Sequence, residues 1–289
     1  MSTVRMILTA ARRVPLRRPR VRRVGEREAE MALESYETFA SSDLIAEGIV
    51  ARMLAGISTR RYPVTLGLAV ATARLAAMTV ELFLAVARVA AELLAGDDVR
   101  AHWQQPSALE GYTISGLAGH LARAVLTVER YLSAPEPPAD REATNAAGYL
   151  VTVLGGHHPV DSEFHAIVRA RGAEAAAAGP EALASELRAS IGHVAERLAV
   201  IDVARRRVEV LSGVTLTVEE YLETRLVELV VHLDDLAVSL GRDGVDLPQE
   251  ALQVVAGVLG QVAAARAGGL ATVRSLARAE RHPDAVRAV

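Results

Sequence analysis

One short segment constrains this chain more than any other. Residues 226–236 read Leu-Val-Glu-Leu-Val-Val-His-Leu-Asp-Asp-Leu, apolar almost all the way round a helix, so the segment has to be buried among other elements. Glu228 and His232 stand inside it at i, i+4, one above the other on one face, with Arg225 and Asp235 nearly in line. A buried carboxylate beside a buried imidazole is costly unless something compensates it. A divalent cation would do so directly, since Glu and His both suit Zn²⁺ and related metals. A self-sufficient Glu–His or Glu–Arg pair is the plainer alternative, because E-x-x-x-H is a short pattern.

The rest of the chain supplies helices to bury it. Hydrophobic residues make up 51% of the 289, but aromatic residues only 3%, so the core is built from Ala, Leu and Val. Ala and Leu are strong helix formers, and Gly and Pro fall mainly between the apolar-periodic stretches. The periodicity predicts an all-α protein. Its first helix covers about 71–95 and is closed by Gly96-Asp97-Asp98. A second, capped by Thr113 or Ser115, runs to about 133, where Pro135, Pro137 and Pro138 end it. A long connection over 140–159 follows. A third helix starts near Asp161 or is split, with a segment to Arg171 and a main run over 180–200. A fourth, capped by Thr217, runs to about 240 and stops at Gly241. Two further helices lie over about 248–267 and up to about 280, parted by Gly268-Gly269. The alternation over 207–214 allows one β-hairpin. Four long helices with a long link between the second and third suggest a bundle with a crossover connection.

Charge is unevenly spread. All 32 basic residues are Arg, and eight of them precede the first acid, Glu26; the remainder carries 24 Arg against 35 acids, a net of −11. An acidic main body argues against nucleic-acid binding, which leaves only the basic N-terminus for it. Residues 1–25, Arg-rich and weakly periodic, are expected to be disordered, and 26–56 to hold one or two short helices. We divide the chain into a basic extension, 1–66, and a helical domain, 67–289. No apolar run is long enough to span a membrane: the stretch over 80–94 is broken by Glu81, Arg88 and Glu92. The N-terminus lacks an apolar signal core, so the cytoplasm is the expected compartment.

The chain has no Cys. No thiolate can act as nucleophile or ligand, and any thiol chemistry needs a thiol from outside. A third metal ligand must come from another helix, and His120 is the candidate. It lies among small and apolar residues of the second helix, with Gly116 and Gly119 able to admit a close neighbour. Taken alone, a histidine on such a face is as readily a packed core residue. His157 and His158 sit in a Gly-rich loop, His165 and His193 on helix surfaces, His102 beside Trp103, and His282 near the end of the chain.

Gly119-His120-Leu121-Ala122-Arg123, together with residues 225–237, resembles the DinB-like metal-binding bundle of mycothiol-dependent maleylpyruvate isomerases and related thiol transferases. The ending over 271–281 is similar to tails of that group, and the likeness covers about 68–282. It implies a DinB-like four-helix bundle in which His120, Glu228 and His232 bind Zn²⁺, and mycothiol as the thiol cosubstrate. Only about 45 residues follow Gly244 and they read as helices, whereas the best-known isomerases carry a separate C-terminal domain there. Separately, residues 41–62 resemble a fragment of mutator-type transposases, without the carboxylates of a transposase catalytic domain. We read that stretch as a fusion scar or mis-called start, with a basic tail as the alternative.

The expected activity is therefore a metal-dependent isomerase or S-transferase joining a low-molecular-weight thiol to a small electrophile such as maleylpyruvate. Arg123 and Arg225 are candidates for holding a substrate or thiol carboxylate, or for ion pairs with Asp234, Asp235 or Glu228. Asp235 is a candidate acceptor behind His232. A bundle that binds metal or ligand without turnover is the alternative, and a homodimer is compatible with either.

Overall fold

The computed structural model describes residues 3–8, 12–17, 66–154, 162–210 and 213–278. The chain divides into two compact units, Met1–Ala77 and Met78–Val289. In the first, β1 (Thr3–Leu8) and β2 (Arg12–Arg17) form an antiparallel hairpin in which Thr3 stands opposite Arg17 and Leu8 opposite Arg12. Disorder was the expectation for this basic stretch, yet two strands occupy part of it. The short helices expected over 26–56 and the transposase-like stretch 41–62 lie outside the described residues.

The helices follow: α1 (Leu66–Leu94), α2 (Asp97–Ala101), α3 (Ile114–Ser133), α4 (Ala146–Leu154), α5 (Glu163–Ala175), α6 (Pro180–Leu198), α7 (Val218–Ser239), α8 (Gln249–Ala267) and α9 (Gly269–Ala277). Between α6 and α7 a hairpin pairs β3 (Arg207–Val210) with β4 (Val214–Thr217). The chain is thus mostly helical, as its periodicity predicts. The third helix is split, with α5 capped by Ser162 and α6 begun by Pro180. Asp161 and the histidine pair His157-His158 lie outside the described residues. The connection over 140–159 differs from expectation in containing α4, an apolar helix too short for periodicity to separate from a loop.

Local chemistry sets the ends of the two helices that matter most. Thr113, rather than Ser115, caps α3: its Oγ1 accepts from the backbone N–H of Gly116 at 3.1 Å. Thr217 caps α7 in the same way, accepting from Glu220 at 3.2 Å. At the far end Gly241 takes a positive φ of 70°, which ends the helix where a side chain would be strained.

The core is aliphatic. Leu117, Leu121, Val125 and Val128 on α3 are fully buried, as are Leu222, Leu226, Leu229, Leu233 and Leu236 on α7. The spacing in each is that of one helix face, and each such side chain stabilises the fold by roughly 1.5–3 kcal/mol. Phe83, Val86 and Ala90 of α1 and Leu187 and Val194 of α6 complete it. α3 is the common partner, packed against α5, α6 and α7, while α8 packs on α4, α7 and α9.

Where α3 meets α5 there is no room for a side chain. A Cβ on Gly119 would overlap the carbonyl oxygen of Gly172, and one on Gly172 would come within 2.6 Å of the Gly116 carbonyl oxygen and 3.2 Å of the His120 nitrogen. The close approach that Gly119 permits is therefore made by Gly172, whose backbone presses on the turn that carries His120. A Cβ on Gly116 would meet only Thr113 and Tyr112, at 3.4 Å or more, so the lack of a side chain at Gly116 is not what admits α5. Gly119→Ala should destabilise the protein by about 1–3 kcal/mol through overpacking against backbone. Gly192→Ala, mid-helix on α6 with nothing within 4 Å of its new methyl, should instead stabilise by roughly 0.5–1 kcal/mol. Urea midpoints of the two variants check this, and equal shifts would contradict the packing.

Candidate metal centre

α3 and α7 lie side by side and bring His120 together with Glu228 and His232. His120 Nε2 stands 3.1 Å from His232 Nε2 and 3.3 Å from Glu228 Oε2, and His232 Nε2 is 3.5 Å from that same oxygen. Three donor atoms, each about 2.05 Å from one tetrahedral ion, would be about 3.3 Å apart. The triangle matches one face of such a tetrahedron, and its donor set, two imidazoles and a carboxylate, is one that suits zinc. The histidine side chains are 17% exposed and that of Glu228 27%, so the face is sheltered but reachable.

The surroundings orient these atoms unequally. Nδ1 of His232 lies 2.9 Å from Asp235 Oδ2. A proton held there by the carboxylate leaves the Nε2 lone pair directed at the triangle. His120 Nδ1 is buried without a hydrogen-bond partner among the described residues; Gly172 and the nearby ring of Tyr112, 6.0 Å away between centroids, restrain that imidazole by packing instead.

Arg225 stands behind Glu228. Its Nη2 is 4.0 Å from Glu228 Oε1, its Nε donates to Thr224 Oγ1 at 3.1 Å, and its guanidinium lies over the Tyr221 ring at 5.2 Å. Glu228 thus turns one oxygen to the histidines and the other toward Arg225, so the ion-pair alternative for Arg225 is the contact seen. Arg123 is not drawn into this group. It begins a separate pocket of about 800 Å³ shared with Arg130, Tyr131, Arg141 and Arg171.

Electrostatics follow from these contacts. Burial pushes the Glu228 carboxyl up, but hydrogen bonds from His120 and His232 and the Arg225 charge outweigh it and hold the group well below the usual carboxylate range. Burial pushes His232 down, yet its hydrogen bonds to Asp235 and Glu228 win and lift it from 6.5 to about 9. Burial raises the Tyr149 phenol to about 12, with Glu228 adding to the rise against the lowering effect of Arg225.

Sequence reasoning missed four neighbours. Tyr221 lies at i−4 from Arg225 and shares the face of Glu228 and His232, so helical spacing alone could have found it. Tyr112, Tyr149 and Gly172 reach the site from other elements, and no spacing within one helix signals them.

The shifts give opposite signs for two measurements. Metal-free, the raised His232 contributes stability that is complete below about pH 6.5 and is lost as pH rises through about 9. Metal must displace the same proton, so its apparent affinity should climb about tenfold per pH unit across that window. Thermal melts of metal-free protein and competitive zinc titrations from pH 6.5 to 9 test both. An affinity that stays flat would show that His232 is not a ligand.

The solved structure of a mycothiol-dependent maleylpyruvate isomerase is 22% identical, with a TM-score of 0.39, the alignment covering 63% of this chain and 68% of that one. A histidine-to-alanine mutant of that enzyme aligns at 22% identity over the same shares with a TM-score of 0.38. No curated protein matches. The family described as the mycothiol maleylpyruvate isomerase N-terminal domain matches residues 83–237, more than half of the chain and the whole stretch from before His120 to beyond His232; the tail over 271–281 lies outside that match. This chain belongs to the mycothiol maleylpyruvate isomerase N-terminal domain family.

Proposed function

We propose that this chain is a divalent-metal-dependent, thiol-using isomerase or S-transferase acting on a small electrophile such as maleylpyruvate, with mycothiol as the thiol. Family membership supports the reaction class. One observation carries the metal reading: His120 Nε2, His232 Nε2 and Glu228 Oε2 converge within 3.1–3.5 Å of one another. Three protein ligands with an open fourth position are the pattern of catalytic rather than structural zinc. A divalent ion in that place supplies acidification of a thiol brought to the open position. The thiol in turn supplies reversible addition to an electrophilic carbon, which permits rotation about a former cis double bond or release of an S-adduct.

The chain's own residues prepare that chemistry. Asp235 accepts the Nδ1 proton of His232 and fixes the tautomer. Glu228 stays ionised because the histidines and Arg225 oppose its burial. Arg225, itself half-buried with its guanidinium over the Tyr221 ring, restrains the Glu228 carboxylate from behind. Arg123, one turn beyond His120, can hold an anionic substrate group at the start of the adjoining pocket. No cysteine of the chain competes for the ion or the electrophile. We assign this function to residues 67–289, with 1–66 as an extension. The cytoplasm is the proposed compartment; no described helix is long and apolar enough to cross a membrane.

Metal-loaded wild-type protein is expected to turn over maleylpyruvate only when mycothiol is added. His232→Ala and Glu228→Ala should each lose about 100-fold or more in kcat/KM, since several kcal/mol of transition-state stabilisation go with the metal. Stopped assays of product with and without thiol check this. Metal retention without thiol-dependent turnover would instead indicate a bundle that binds but does not catalyse.

A further inference from the structure

A second strongly charged feature, apart from the metal triangle, is the pocket lined by Arg123. It is about 800 Å³ in volume, within the range of small-molecule sites. Four arginines line it: Arg123 and Arg130 from α3, Arg171 from α5, and Arg141 from the loop that leads to α4. Only two carboxylates join them, Glu174 and Glu209. The pocket therefore carries an excess of two positive charges, in a chain whose body after Arg23 has a net charge of −11. Convergence of arginines is not what that background produces by default.

The arginines are unequally satisfied. Arg141 pairs with Glu209 at 3.7 Å, and Arg130 donates to the Tyr131 hydroxyl at 3.1 Å while its guanidinium lies over the Tyr131 ring. Arg123 and Arg171 have no carboxylate within ion-pair distance among the described residues. Arg123 is also half-buried, and burial together with the charges of Arg171 and Arg130 lowers its affinity for its own proton, partly offset by Glu174. Like charges held together in this way are relieved by an anion, and the planar fork of arginine matches carboxylate and phosphate oxygens bidentately.

We propose that this pocket is an anion-binding site in which Arg123 and Arg171, supported by Arg130, hold a small molecule bearing two negative charges, as a dicarboxylate or a phosphate. The occupant is the electrophile of the reaction, a clause that rests on the function proposed above; the site itself does not. Position favours this occupant. Arg123 is three residues from His120 and Arg130 ten, about 4.5 Å and 15 Å along the helix axis, so two of the pocket's arginines share a helix with one member of the metal triangle. Tyr131 of the pocket wall also packs edge-on against Tyr221 at 5.5 Å, the ring that carries Arg225.

Calorimetric titration of the full chain with succinate and with inorganic phosphate, at matched ionic strength set by chloride, tests the site. It is done on wild type and on His120→Ala, so that loss of the metal reading and loss of this one are separable. Saturable binding of at least one anion is expected in both proteins. It should weaken about tenfold or more in Arg171→Gln and in Arg123→Gln, the usual consequence of removing one charge-assisted bond. Preference for succinate over phosphate, or the reverse, tells which oxygen chemistry the pocket takes. Arg171 is exposed, so its variant is expected to fold, and circular dichroism confirms that before titration. Absence of saturable binding to wild type, or binding to folded Arg171→Gln and Arg123→Gln as tight as to wild type, would overturn the proposal.

Discussion

Two imidazole nitrogens and one carboxylate oxygen crowd within 3.1–3.5 Å of one another on the facing sides of two helices, and much of the surrounding structure serves to hold them there. Such a group cannot be neutral and fully hydrogen-bonded at once. Two facing Nε2 atoms share at most one proton between them, and the carboxylate needs a positive neighbour. Without metal the arrangement is held by a proton on His232, by Asp235 behind it and by Arg225 behind Glu228. A divalent ion would replace that proton with a stronger charge at the centre. The arrangement is thus costly for a structural core and natural for a ligand set.

Support for the two histidines is of different kinds. His232 is oriented by a charge-assisted hydrogen bond from its own helix, which specifies its tautomer. His120 is oriented by contact: the Gly172 backbone lies against its turn, and its Nδ1 is left buried without a partner among the described residues. A buried polar atom of that sort costs about 1–3 kcal/mol, which a ligand bond at Nε2 can offset. Glycines at 119 and 172 therefore bear on function through helix spacing, since any side chain there would push α5 away from α3 and shift His120 against the α7 pair.

Much of this was legible in the chain itself. Apolar periodicity located the long helices, and Thr217 and Thr113 stood ready as caps. Spacing of four put Glu228 and His232 on one face, and spacing of three added Asp235. What spacing within one helix cannot express is a meeting between helices. Placing His120 opposite Glu228 needed a family resemblance, and the contributions of Gly172, Tyr112 and Tyr149 became visible only in three dimensions. Arg123 shows the same limit from the other side. Proximity in sequence to His120 suggested a carboxylate-holding role for it, but nothing in the sequence signals that its side chain lines a pocket together with Arg171 from another helix. α4 was lost within its connecting segment because nine apolar residues are too few to display a helical period.

The central claim is that His120 and His232 share one ion. X-ray absorption at the zinc edge of the loaded, full-length chain measures it directly. The account predicts one ion per chain with nitrogen and oxygen neighbours at about 2.0–2.1 Å and outer-shell scattering from two imidazoles, falling to a single imidazole in His120→Ala. Zinc bound without imidazole scattering, or an unchanged two-imidazole signature in His120→Ala, would contradict it.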